Sequence, residues 1–380
     1  MASAEAVIDL DAVRTSTAEL VRRAGSAAVM AVVKADGYGH GMLPCARAAL
    51  DAGAQWLGAA KPSEALQLRA AGIDVPILAW LAGPHDDLTP AVAAGIDLSA
   101  GAPWMVRQLQ ASAVASGRPA RVHLNVDTGL HREGATAADW PQLLAEAQRA
   151  QAEGTLEIVG IWSHFALADD PAHPTVRAQL THFREALDVA ERAGVRPQLR
   201  HLANSAATLA NPDAHFDLVR PGVAVYGLSP GPLVGRSAEL GLVPAMTLTA
   251  EVALTKRVPA GSGVSYGHRY HTAAEATLAL VPLGYADGVP RHATNVGEVL
   301  IGGRRRCIAG TVCMDQFVVD VGDDAVAAGD QVVLFGSGAG GEPTAQDWAE
   351  AIGTINYEIV TRVGPRVPRR YVGTGGGGGS

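Results

Sequence analysis

The residues of this chain best suited to chemistry are a lysine, arginines, a histidine and tyrosines set beside glycines at the ends of apolar runs. In Val32-Val33-Lys34-Ala35-Asp36-Gly37-Tyr38-Gly39-His40-Gly41 a lysine closes an apolar run and a glycine-rich turn comes next. A desolvated or cation-flanked lysine retains enough neutral amine to condense with a carbonyl, and a lysine so placed also serves as an ion-pair partner or a phosphate ligand. Both readings stand at this point. Arg220 precedes the Pro221-Gly222 turn of Asp217–Gly227, where exposed backbone amides suit an anion, and Asn204-Ser205 adds a hydroxyl and a helix start. A rim arginine that caps carbonyls and a plain N-cap read the same way. His164 ends another apolar run, and Arg132 lies in the tight Asp127-Thr128-Gly129-Leu130-His131-Arg132-Glu133-Gly134 loop, where a guanidinium can clamp a carboxylate or phenolate. Further along stand Val264-Ser265-Tyr266-Gly267, Cys313-Met314-Asp315 and Asn356-Tyr357. Turn tyrosines and buried cysteines are ordinary, so none of these is diagnostic alone.

Such residues need elements to hold them. Over the first two-thirds of the chain, short β-branched runs alternate with Ala/Leu/Arg-rich stretches of helical period, the pattern of repeated β-α units. The expected strands are 28–35, 55–60, 75–80, 95–99, 121–127, 158–164, 199–203 and 216–220, with helices over 62–71, 140–152 and 175–193. Ser63 and Glu64 suit the first turn of one helix as capping hydroxyl and acid. Eight strands in about 200 residues fit a (β/α)8 TIM-like barrel, in which working residues gather where strands end. Lys34, Asp127, His164, Ser205 and Arg220 all fall at such ends.

After Gly235 the texture becomes Val/Thr/Leu-rich with interspersed glycines. Strands are expected over 246–256, 276–283, 296–301 and 307–319, then a single helix over 345–352 and a polar, proline-containing end. The division is therefore a barrel over 1–235, a mostly antiparallel β domain over 236–372, and a flexible Gly/Ser tail over 373–380.

Composition narrows the function classes. The chain has 380 residues, with 30 Lys plus Arg against 38 Asp plus Glu, a formal charge of −8 that argues against general nucleic-acid binding. Hydrophobic residues make up 48% and charged residues 18%, which excludes a low-hydrophobicity disordered chain. No apolar run is long enough for a membrane span, and the start lacks a secretory layout, so a cytoplasmic location is expected. Three scattered cysteines support neither a disulfide framework nor a zinc site.

Taken in order, VVKADGYGHG, VRPGVAVYG, GVSYG, GYADG, CMD and INYE resemble the alanine racemases over about residues 7–371. The resemblance implies pyridoxal 5'-phosphate held by Lys34 as an internal aldimine, and interconversion of L- and D-alanine for peptidoglycan. Lys34 is then one catalytic base, and Tyr266, contributed by the second subunit of a homodimer, is the other. Inverting a carbon removes a proton from one face and returns one to the other, which two opposed bases do naturally. Tyr266 is expected to act on L-alanine and Lys34 on D-alanine. By the same resemblance Arg220 faces the pyridine nitrogen and His164 links Tyr266 to Arg220. A phenol ordinarily titrates near ~10, and that chain is the expected source of phenolate stabilisation. Tyr38, Ser205, the backbone of Gly222 and Val223, and Tyr357 would cradle the phosphate. Arg132 and the backbone of Met314, the latter from the partner, would grip the substrate carboxylate, and Tyr285 would line the entrance.

One position departs from part of the family. Some members carry a carbamylated lysine two residues before Asp-Thr-Gly, where this chain has Asn125, so a neutral amide or a bound anion is expected to orient Arg132. Other readings are a barrel-type amino-acid decarboxylase, a non-catalytic pyridoxal-phosphate carrier, and a protein that sequesters inhibitors. Decarboxylases generally set an acid at the pyridine nitrogen, which Arg220 argues against, and a carrier needs neither Tyr266 nor a second domain.

Overall fold

The computed structural model describes residues 3–373 and divides into two compact units. Of the described residues, one unit comprises Arg14–Gly37 and Met42–Leu242; the other takes residues 3–13, Tyr38–Gly41 and 243–373. The first strand, β1 (Ala4–Asp9), lies in the second of these.

Eight parallel strands build the barrel unit: β2 (Ala28–Val32), β3 (Trp56–Ala59), β4 (Ile77–Ala79), β5 (Asp97–Ala100), β6 (Ala120–Asn125), β7 (Leu156–Trp162), β8 (Leu199–His201) and β9 (Leu218–Val219). Their order is β8-β7-β6-β5-β4-β3-β2-β9. The seam between β8 and β9 is joined by Asp217 N donating to Arg200 O at 3.1 Å and Arg220 N to Ala203 O at 2.9 Å. β3, β4 and β5 are buried at every residue, as parallel strands covered on both faces should be. Met30, Trp56, Leu78, Val159 and Leu218 form a core cluster.

The helices arise from one-faced apolar spacing. Trp140–Ala152 buries Trp140, Leu143, Leu144, Ala147 and Ala150, a period-3.6 stripe, and Trp140 Nε1 donates to Ala186 O at 2.9 Å. The helix Pro62–Ala70 begins differently from expectation. Ser63 is not its cap; Pro62 opens the first turn, and the Glu64 carboxylate accepts from Ala60 N at 2.9 Å and Lys61 N at 3.1 Å. A carboxylate reaching back to these amides satisfies donors that a hydroxyl inside the helix cannot.

Each expected barrel strand is present, several ending earlier than its apolar run. β2 stops at Val32 because Ala35 and Asp36 turn left-handed, with φ of 53° and 51°.

The second unit contains β10 (Met246–Glu251), β11 (Leu254–Val258), β12 (Gly263–Val264), β13 (Tyr270–His271), β14 (Ala276–Val281), β15 (Glu298–Ile301), β16 (Arg304–Cys307), β17 (Phe317–Gly322), β18 (Gln331–Phe335) and β19 (Arg369–Val372). A six-stranded sheet runs β16-β15-β18-β10-β1-β19, antiparallel except for the β1–β19 pair, and a three-stranded sheet runs β11-β14-β17.

Several expectations are corrected here. Of the stretch expected in the barrel from residue 1, the described residues 3–13 do not belong with it, because β1 alternates buried and half-exposed residues and is held between β10 and β19. The run 246–256 is two strands in different sheets, and 307–319 is interrupted by a loop between β16 and β17. The end of the chain carries a second helix, Asn356–Thr361, and β19. The expected tail falls on 374–380, outside the described residues.

Candidate active site

Within the barrel unit, Lys34, Asp127, His164, Asn204, Ser205 and Arg220 all lie within four residues of the C-terminal ends of β2, β6, β7, β8 and β9. One mouth therefore gathers them. Lys34 is half-buried, and its Nζ stands 5.7 Å from the Trp80 ring centre. Burial, then the positive charge of Arg132, lowers its pKa, while Glu133 and Glu64 oppose the shift. A lysine so placed holds more neutral amine than one in water.

The turn after Lys34 is strained. Ala35 and Asp36 adopt left-handed angles that cost L-residues roughly 1–2 kcal/mol each. It is held by Gly37 N donating to Val33 O at 2.9 Å and Met42 N donating to Asp36 Oδ1 at 2.8 Å.

Arg220 is 5% exposed. Its Nη2 donates to Ser163 O at 2.7 Å and to His164 Nδ1 at 3.2 Å, and the guanidinium lies 4.9 Å from the Trp162 ring centre. Burial, then Arg132, pushes its pKa down to about 9, so it remains cationic at neutral pH. Because Arg220 can only donate, His164 Nδ1 accepts, and the proton of a neutral imidazole sits on Nε2. Burial, then Arg220, Arg132 and Lys34, lowers the His164 pKa to about 3.

Beneath Arg220 runs a buried chain that the sequence reading missed. Arg220 Nη1 meets His201 Nδ1 at 3.0 Å, His201 Nε2 meets His123 Nδ1 at 2.8 Å, and His123 Nε2 meets Asp97 Oδ2 at 3.1 Å. Arg121 Nε closes it on Asp97 Oδ1 at 2.7 Å. The ends fix the tautomers: an arginine can only donate and a carboxylate only accept. Each histidine therefore accepts at Nδ1 and donates from Nε2; a second proton on His123 would leave His201 with none. Burial, then the Arg220 cation and the neighbouring His123, drives the His201 pKa well below its ordinary value. Burial would raise Asp97, but His123 and Arg121 outweigh it and hold the carboxyl low. The available signal was a polar residue inside an apolar run for His123, in Val122-His123-Leu124; His201 follows Arg200 and carried no such signal. Gly160 on β7 leaves room for the His123 ring, which a Cβ there would strike.

Ser205 is buried, and its Oγ accepts from Gly222 N at 2.8 Å and Ala224 N at 3.4 Å. The Gly222 amide, expected to face phosphate, is thus engaged with Ser205. Val223 opens the next turn, so its amide finds no carbonyl within it, and the Ser205 hydroxyl hydrogen remains to donate.

The Asp127 carboxylate organises the next loop, accepting from Gly129 N at 2.9 Å and His131 N at 3.1 Å. Arg132 is exposed and pairs with Glu133 at 3.1 Å. Asn125 does not hold it: its Oδ1 lies against the backbone at Gly134. Of the two expected partners, a neutral amide or a bound anion, the Asn125 amide is not the one Arg132 meets here; it meets the adjacent Glu133 carboxylate instead.

In the second unit, Tyr38 is buried with its ring centre 6.2 Å from that of Tyr357. Burial, then Tyr357, raises the Tyr38 pKa, so its hydroxyl stays a donor. Tyr266 is 75% exposed, in a turn braced by Thr311 Oγ1 donating to Tyr266 O at 2.7 Å. Met314 and Tyr285 are also exposed and adjacent, with Tyr285 N donating to Cys313 O and Ala286 N to Met314 O.

Comparison with known proteins adds independent support. Models of the alanine racemase N-terminal and C-terminal domains match residues 8–230 and 245–371. An alanine racemase of Frankia casuarinae is 68% identical over 97% of this chain and 96% of its own length, and one of Salinispora arenicola is 62% identical over 98% and 99%. The crystal structure of alanine racemase from D-cycloserine-producing Streptomyces lavendulae superposes with a TM-score of 0.97 at 56% identity, covering 98% of both chains. With both domains matched and the eight-stranded barrel in place, the chain belongs to the alanine racemase family.

Proposed function

We propose that the chain interconverts L- and D-alanine with two opposed bases, Lys34 of one protomer and Tyr266 of its partner, around pyridoxal 5'-phosphate. The observation that carries this is the barrel mouth, where a half-buried amine of lowered pKa shares one rim with a buried, permanently donating Arg220. The residues fit the group. Lys34 supplies an amine suited to its aldehyde, Arg220 a donor for its ring nitrogen, and Ser205 and Val223 donors for its phosphate. Tyr38 and Tyr357 are assigned to the same phosphate by family resemblance.

When bound, pyridoxal 5'-phosphate draws electrons from the α-carbon and makes its proton removable. The chain's residues decide where that proton goes. Lys34 takes or returns it on one face, and Tyr266 of the partner subunit on the other. His164, accepting from Arg220 at Nδ1, keeps Nε2–H to donate to that phenolate. A guanidinium at the ring nitrogen disfavours its protonation and so limits side reactions that need a stronger electron sink. Arg132 and the Met314 amide of the partner subunit are assigned to the substrate carboxylate, with Tyr285 at the entrance. The large exposed side chains Tyr266, Met314 and Tyr285 support a homodimer with shared sites.

Among the described residues no helix is long and apolar enough to cross a membrane. A cytoplasmic location, with D-alanine supplied to peptidoglycan, completes the reading. A decarboxylase is disfavoured by Arg220 and by the identity of the relatives, and a carrier or sequestering protein has no need of an exposed second base. Lys34→Ala should remove the absorbance of bound cofactor together with racemisation in both directions. Retained absorbance and turnover would overturn the assignment.

A further inference from the structure

We propose that Glu64 is a positioning residue for Lys34: its carboxylate fixes the peptide group that aims the lysine into the mouth. The inference rests on the reading of Lys34 as the cofactor-linked base. Glu64 Oε1 accepts from Ala35 N at 2.7 Å, while Oε2 accepts from Ala60 N and Lys61 N. A glutamate closing a helix start needs only the amides at its own N-terminus. The Ala35 amide belongs to a different strand end, 29 residues earlier, so one side chain ties the end of β2 to the end of β3.

The Ala35 amide is the far half of the peptide group that begins at the Lys34 carbonyl. A bond to it sets the rotation of that peptide and hence the direction from which the lysine side chain leaves the backbone. The tie matters because the turn after Lys34 is unfavourable on its own. Ala35 and Asp36 sit in left-handed angles, and such a run persists only where its surroundings over-determine it. Gly37 N and Asp36 Oδ1 secure its far end, and Glu64 is the side chain that secures its near end. Both carboxylate oxygens are in use. A glutamine offers one oxygen and one amide, so on one side it must turn a donor toward a donor.

The test compares Glu64→Gln, Glu64→Ala and the neighbouring Ser63→Ala in the full-length protein. Three quantities are read: affinity of the apoprotein for pyridoxal 5'-phosphate, the pH profile of Lys34 labelling by trace acetic anhydride, and α-proton exchange with D- and L-alanine in deuterated water. Misaiming a reacting group by about 1 Å costs on the order of 10²-fold. Glu64→Gln should therefore weaken cofactor binding, shift the labelling profile, and slow exchange from D-alanine far more than from L-alanine, with Ser63→Ala unchanged. Equal slowing of both exchanges with unchanged binding and labelling would overturn the proposal, as would no effect at all. Should Glu64→Gln fail to fold, Glu64→Asp is read the same way. Lys34→Ala separates the two claims: retained cofactor absorbance there overturns both, whereas its loss with an unaffected Glu64→Gln overturns Glu64 alone.

Discussion

The charges around Arg220 are arranged so that His164 and His201 stay neutral. His164 and His201 are each pressed by burial and by the Arg220 cation. Their sign on stability comes from linkage. The unfolded histidine takes up a proton near ~6.5, while folded His164 does so only at about 3, so between those values the unfolded chain binds more protons. Stability should fall as pH drops below about 6.5. Melting of the apoprotein from pH 7.5 to 4.5 checks this, and a flat profile would contradict it. Imidazole nitrogen shifts should likewise report both rings neutral at pH 5. Asp97, 1% exposed and paired with both His123 and Arg121, anchors the far end. Asp97→Ala would leave the buried His123 Nε2–H without its acceptor, while Arg121 keeps its pair with Glu157 at 3.0 Å, and should cost about 1–3 kcal/mol in urea unfolding. If Tyr266 is the second base as proposed, Tyr266→Phe should slow α-proton exchange from L-alanine by about 10²–10⁴-fold and spare exchange from D-alanine. Comparable losses in both would refute the division of labour.

At the scale of elements, strand ends and the turns after them hold the candidate site residues, and the space around them is set by small residues. Gly160 on β7 faces His123, and no side chain fits between them. Gly160→Ala is expected to cost about 1–3 kcal/mol through overpacking and to displace the His123–His201 pair. A lower melting temperature with altered cofactor absorbance is the outcome to measure. The glycines after Lys34 have a matching cause: a Cβ at Gly39 would meet Val360 O, and one at Gly41 the Tyr371 hydroxyl. That much of the VVKADGYGHG pattern is packing rather than chemistry. β1 carries comparable weight, since Ile8 is fully buried and the strand pairs on both sides. Ile8→Ala should destabilise the second unit by about 2–5 kcal/mol.

For the whole molecule, the two-unit plan has a functional reading. The barrel unit holds Lys34, Arg132 and Arg220, and in the second unit Tyr266 and Met314 are exposed. If sites are shared across a two-fold dimer, co-expressing Lys34→Ala and Tyr266→Phe chains should rescue activity that neither variant has alone. Random pairing in a symmetric dimer makes half the dimers hybrid with one intact site each, so roughly a quarter of wild-type sites should return. No rescue, with hybrids demonstrated, would place both bases in one chain.

The sequence by itself determined the eight barrel strands and the position of Lys34, His164, Ser205 and Arg220 at their ends. These are local facts: an apolar run, its end, and the polar residue just after it lie within a few positions. Only the tertiary structure decided what those residues answer to. Arg220 meets His201 19 residues away, His201 meets His123 78 residues away, and Ala35 meets Glu64. β1 pairs with β10 more than 200 residues later, which no linear boundary at 235 could anticipate. Registers and ring contacts of this kind depend on how faces close over one another, and local periodicity carries no record of that closure. The sequence therefore names the candidate groups for the proposed chemistry, and the fold sets their partners and tautomers.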